Sequence, residues 1–153
     1  MKKAMILGLA AVFALCVIGN VFAQSDAEKE CVAKCTEAAG MITKDGQDAA
    51  VAEINKKDGK FVKGDIYVFL MDMSGVMLAH PMSPNLIGKN LLELKDKEGK
   101  EFFKEFIALA KEKGSGWVDY MWPKPGEEAP SKKSSYILKV EGKDLLVGAG
   151  IYK

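Results

Sequence analysis

Residues 65–81 read DIYVFLMDMSGVMLAHP. Ile66 to Met71 is an unbroken apolar run rich in β-branched and aromatic residues, the composition of a buried strand. Asp72-Met73-Ser74-Gly75 carries turn chemistry, and Val76 to His80 returns as a second strand. A hairpin here makes the sheet antiparallel at its start. Working outward, residues 99–113 switch to helical period, with Phe102, Phe103, Phe106, Ile107 and Ala110 on one face and lysines and glutamates on the other. Gly114 and Gly116 end that helix. Three more strands are expected at 117–122, 134–140 and 144–152, the last two joined by a turn at Glu141-Gly142-Lys143-Asp144. On the N-terminal side, Ser25 with Glu28 three residues on predicts a capped helix over 25–43. A second helical stretch covers 47–56, after an interruption at Gly40 or at Asp45-Gly46. Only one connection between strands is long enough for a helical crossover. The fold class is therefore α+β: one antiparallel sheet of about five to six strands, helices on one face, and an N-terminal helix alongside.

The chain has 153 residues, which suits one domain. Lys2 and Lys3 followed by an apolar run and Val21-Phe22-Ala23 predict a secretory signal over 1–23, cut before Gln24. The run is short for a membrane span of ~20 residues. The expected division is 1–23 signal peptide, 24–60 N-terminal helical segment and 61–153 core. The expected location is periplasmic, with no membrane span in the mature chain. Without Lys2 and Lys3 the 22 basic groups become 20 against 21 acidic ones, a net charge of −1. That field gathers no nucleic acid. The chain contains no arginine, so an anion site must use lysine, backbone N–H groups or hydroxyls.

Cys31 and Cys35 are spaced i, i+4. On a helix that sets their Cα atoms ~6 Å apart, near the upper edge of disulfide geometry. The pair is a candidate local disulfide, with two unlinked thiols or a docking role of this helix as alternatives. It is neither a Cys-x-x-Cys nor a haem-attachment motif. His80 is the only histidine and cannot build a zinc site alone. No triad or paired carboxylates are visible, and Glu101 and Glu105 suit a solvated helix face. The reading is a non-enzyme without cofactor or metal. Met71, Met73, Met77, Met82 and Met121 read as core or soft pocket lining.

Both tryptophans lie in Gly116-Trp117-Val118-Asp119-Tyr120-Met121-Trp122-Pro123. Strand alternation sets Val118, Tyr120 and Trp122 on one face and Trp117, Asp119 and Met121 on the other. Tyr120 and Trp122 then share one space, each with an apolar body and one donor. Trp117 and Met121 pack against the rest of the fold.

The chain resembles a known family through Asp65-Ile66-Tyr67-Val68-Phe69, Asp72 with Gly75, Leu78-Ala79-His80-Pro81 and Gly88-Lys89-Asn90-Leu91. Gly114 to Tyr120, Trp122-Pro123, Lys133-Ser134-Ser135-Tyr136 and Gly148 to Tyr152 continue the likeness in the same order. It is similar to the single Cache domain of the second type. The resemblance implies a PAS-like fold and an extracytoplasmic sensor of small organic acids such as acetate, propionate, pyruvate or lactate. It implies Lys133 as the cation and His80 as a donor or shaping residue at the pocket mouth. Lys89 belongs to a loop that orders the lid. Trp117 and Tyr136 are further candidates through their motifs, although parity sets Tyr136 on the face opposite Lys133. Most such domains lie between two membrane helices. Here a signal peptide stands in place of the anchor and the chain stops one residue after Tyr152, the pattern of a stand-alone secreted member. The expected partners are the organic acid and a membrane receptor, a kinase or a second copy. The alternative function is a periplasmic adaptor docking through the helix that bears Cys31 and Cys35.

Overall fold

A computed structural model describes residues 24–153; the expected signal segment lies outside them. Helix α1 spans Asp26–Lys44 and α2 spans Gln47–Ile54. The Ser25 hydroxyl accepts from the Glu28 N–H at 3.2 Å while the Ser25 N–H donates to the Glu28 carboxylate at 2.7 Å, the reciprocal cap expected from the sequence. The chain runs helically through Gly40 and breaks at Asp45-Gly46, where Gly46 takes φ +95°. Strands β1 (Val62–Lys63), β2 (Ile66–Asp72) and β3 (Met77–Ala79) follow, then a 3-10 turn at Pro84–Leu86. Helix α3 is Phe102–Lys113, and β4 (Ser115–Pro123), β5 (Pro130–Lys139) and β6 (Leu145–Tyr152) complete the chain.

All pairings are antiparallel, in the order β1-β2-β6-β5-β4, with β3 on the same edge of β2 as β1. This is the α+β, PAS-like arrangement expected from the hairpin and its resemblance. β1 was not expected; two residues are too few to show a period. α3 begins three residues later than expected. Asp96 accepts from the N–H groups of Glu98 and Lys100 at 2.9 Å each, a turn that keeps those residues out of the helix. Its second oxygen accepts from the Met121 N–H at 2.9 Å and staples the loop to the edge of β4.

α3 covers one face of the sheet and the N-terminal helices cover the other. Cys31, Cys35, Ala38 and Ile42 of α1 pack with Val68, Leu70, Val147 and Ala149. On the other face Phe102, Phe103, Phe106 and Ile107 of α3 pack with Tyr67, Phe69, Met71, Met77 and Leu146. β2 is thus covered on both sides, and that is why its sequence is an apolar run instead of an alternation. Cys31 and Cys35 are two separate buried thiols and not a disulfide. They sit on the core side of α1, so that side is not a surface for docking. Burial pushes the Cys31 thiol up to about 11 and raises Cys35 well above the ordinary thiol range. No helix among the described residues is long and apolar enough to cross a membrane.

Candidate functional site

Sheet register brings the site together. Tyr120 of β4 lies opposite Lys133 of β5, and Lys133 lies opposite Tyr152 of β6. Side chains directly opposite share a face, so Tyr120, Lys133 and Tyr152 form one row on the α3 side. The next row is Val118, Ser135 and Gly150. Gly150 leaves a gap there, and the Lys133 stem crosses it: a Cβ at Gly150 would come within 2.9 Å of Lys133 Cε and 2.3 Å of Ser135 Oγ. Gly148 makes the matching gap for Phe69, whose ring tip would meet a Cβ at 2.2 Å. Gly150→Ala is expected to displace Lys133 and lower stability by about 2 kcal/mol, read as a fall in melting temperature together with loss of any ligand-induced shift.

Through the gap the Lys133 Nζ donates to the Tyr67 hydroxyl at 2.8 Å. It lies 3.9 Å from the centroid of the Tyr67 ring and 4.9 Å from that of Tyr152. Lys133 is 1% exposed, yet it makes no ion pair with any described carboxylate. Residues 1–23 contain no acidic residue either. Burial without a counter-ion brings the Lys133 amine down to about 7.

His80, 3% exposed, follows β3. Its backbone N–H donates to the Asn55 side chain at 2.9 Å, tying the strand end to the end of α2. Its Nδ1 accepts from the Ser83 N–H at 2.9 Å. The neutral ring therefore carries its proton on Nε2. Burial, and next the Lys133 charge, push the imidazole down to about 3, so it stays neutral. The ring lies 5.0 Å from Tyr67 and 6.4 Å from Trp122 between centroids. Tyr120 stacks on Phe102 at 4.3 Å and shares a 2.9 Å hydrogen bond with Ser135. Trp122 stands edge-on to Phe102 at 5.6 Å. Burial raises the Tyr67 hydroxyl to about 12 and Tyr120 well above the phenol range. The Tyr152 hydroxyl donates to the Pro123 carbonyl at 2.7 Å.

Between these rings lies a cavity of about 10 Å³, walled by Tyr67, His80, Phe102, Phe106, Tyr120 and Trp122 among others. Tyr67 and Trp122 also border an outer groove of about 420 Å³ between the 82–97 and 123–130 segments. Tyr67 and Trp122 thus stand between an aromatic interior and a surface opening. Tyr120 and Lys133 also border a charged cleft of about 250 Å³ with Asp119, Lys132 and Lys153. The groove is the larger space, but the aromatic interior adjoins the buried charge, and charge with apolar walls is what orients a small ligand.

Of the expected site residues, Tyr120, Trp122, Lys133 and His80 converge. Trp117 and Tyr136 do not: they lie on the α1 face, packed against each other at a tilt of 55° with ring centres 5.5 Å apart. Parity decides this against the motifs, since both alternate with residues of the α3 face. Met121 lines the outer groove and not the α1-side core. Lys89 takes part in the loop through its backbone, its carbonyl accepting from the Met77 N–H at 3.1 Å. Tyr67 and Tyr152 were missed as site residues, the first read as strand core and the second as a strand end.

A family model described as a Cache domain matches residues 41–153. The chain belongs to the Cache domain family. This Cache domain is 31% identical over 116 residues to the methyl-accepting chemotaxis protein McpP of Pseudomonas putida, covering 76% of the chain and 21% of that protein. It is 34% identical over 88 residues to the sensor histidine kinase MctS of Rhizobium johnstonii, covering 58% of the chain and 19% of that protein. The chain spans about a fifth of the length of the curated relatives it matches. A solved Cache chemosensory domain, described for its recognition of carboxylic acids, superposes with a TM-score of 0.73 at 30% identity, covering 84% of this chain and 99% of that one.

Proposed function

We propose that this Cache domain is an extracytoplasmic sensor module that binds a small carboxylate, of the size of acetate, propionate, pyruvate or lactate, beside Lys133. The observation that carries the reading is a buried ammonium with no acid to neutralise it. A bound carboxylate supplies that charge. The Tyr67 hydroxyl, the His80 Nε2–H and the Trp122 indole N–H offer donors, and Phe102, Phe106 and Met77 an apolar wall for a short tail. The solved relative described for carboxylic acid recognition supports the ligand class. The chemotaxis and kinase relatives support a receptor or kinase as the partner that reads it. The domain performs no catalytic turnover in this reading.

A cavity of about 10 Å³ holds roughly one water, so binding needs its walls to part. Trp122, shared by cavity and groove, is the side chain whose movement joins them. Melting the protein with a panel of two- to four-carbon carboxylates tests the assignment. At 100 times Kd the gain is ~2.7 kcal/mol; no shift with any member at millimolar concentration would sink it. The tryptophans separate fold from site. Trp122→Ala is expected to weaken binding tenfold or more, roughly one aromatic contact's worth, with little change in melting. Trp117→Ala, half-buried against Tyr136 on the opposite face, is expected to cost about 2 kcal/mol of stability and leave affinity unchanged.

A further inference from the structure

The geometry points to a covalent mode at the same site: the Lys133 amine captures 2-oxo acids as a reversible imine. This rests on the carboxylate reading above and adds a chemical step to it. Two lysines are buried among the described residues, and they contrast. Lys34 donates to the Lys60 carbonyl at 2.6 Å and pairs with Glu30 at 3.4 Å. Lys133 has neither. The groups facing it are Tyr67 from β2, Tyr120 from β4, Tyr152 from β6 and His80 after β3; Glu98, Asp119, Lys132 and Lys153 line the cleft it borders, and the Cys31 thiol and Asp65 act on it only at longer range. None of them is an anion in contact with it. The two aromatic faces favour the ammonium; burial without an ion pair favours the free amine and brings the two forms into balance near neutrality. A desolvated amine of this kind is a nucleophile toward carbonyl carbon.

One hydroxyl is placed to serve it. The Tyr120 hydroxyl is engaged with Ser135, and that of Tyr152 donates to the Pro123 carbonyl. The Tyr67 hydroxyl touches Nζ itself at 2.8 Å. The amine lone pair adds to the ketone carbon of the 2-oxo acid, forming the C–N bond as the carbonyl π pair moves to oxygen. A proton from nitrogen reaches that oxygen and gives the carbinolamine. Tyr67 then protonates the hydroxyl, which leaves as water while nitrogen's remaining proton returns to the phenolate. Amine and ketone become imine and water, with no redox change and no further reactant. The ligand's own carboxylate lies beside the imine nitrogen and stabilises its protonated form. Acetate and lactate have no ketone carbon and bind there as ions only.

The test incubates the full chain with pyruvate and cyanoborohydride, which reduces an imine to a stable amine. The expected product is one adduct per chain, heavier by pyruvic acid less one oxygen and located on the Lys133 peptide. Excess acetate or lactate should block it. Lys133→Met should lack it, and Tyr67→Phe should form it at least tenfold more slowly while still melting cooperatively. Adducts spread evenly over the exposed lysines, or an unchanged rate in Tyr67→Phe, would overturn the assignment. A pyruvate-induced melting shift without an adduct would overturn the covalent step and leave carboxylate binding standing. Absence of both shift and adduct with pyruvate, lactate and acetate would overturn both.

Discussion

Lys133→Met will abolish carboxylate binding and at the same time raise the melting temperature of the ligand-free protein. Methionine keeps the length of the stem that crosses Gly150 but removes the amine. Leaving a bound carboxylate buried without a cation costs about 3–5 kcal/mol, hence a loss of a hundredfold or more in affinity. In the ligand-free protein the sign is reversed. There the amine is the uncompensated group, and replacing it with an apolar side chain of similar volume gains on the order of 2 kcal/mol. A lysine that served only to hold the fold would lose stability on this change. Opposite movements of affinity and melting temperature in one variant are therefore diagnostic of a site held open for an anion.

Affinity for acetate will fall with rising pH, approaching about tenfold per pH unit above pH 8, or about 50-fold from pH 7 to pH 9. The ammonium form binds the carboxylate, and the free amine titrates at about 7. Below that value the ammonium predominates and affinity is flat; above it, binding must first take up a proton. The buried groups around Lys133 whose titration is shifted lie outside this window. His80 lies at about 3, Cys31 at about 11 and Tyr67 at about 12, with Tyr120 and Tyr152 also raised by burial. Stability of the ligand-free protein should show the complementary trend. Between about 7 and 10.5 the folded chain holds fewer protons at Lys133 than the unfolded chain, so stability rises with pH across that range. Lys133→Met should flatten both profiles. Calorimetric titration and melting across pH 6 to 10 check them together.

Much of this arrangement was legible in the sequence, and the reasons differ by residue. The β2–β3 hairpin, the capping box and the faces of β4 follow from local chemistry and alternation. The opposition of Lys133 and Tyr152 was also within reach. The turn after Val140 closes with the Val140 N–H donating to the Leu145 carbonyl, and counting back along both strands gives that pair. Tyr67 was not within reach, because β2 meets β6 across more than seventy intervening residues and nothing local sets that register. Trp117 and Tyr136 show where motif and parity disagree, and parity prevails because backbone geometry fixes which face a side chain takes. The two-sided burial of β2 was written in its unbroken apolar run, a pattern that belongs to a strand covered on both faces.

The most direct test of the central claim is a calorimetric titration at pH 6.5 of the chain and of its Lys133→Met variant with acetate, propionate, pyruvate and lactate. The account predicts a saturable isotherm of one ligand per chain for at least one acid, absent in the variant although the variant melts higher. No saturable heat with any of the four acids, or the same isotherm in both proteins, would contradict it.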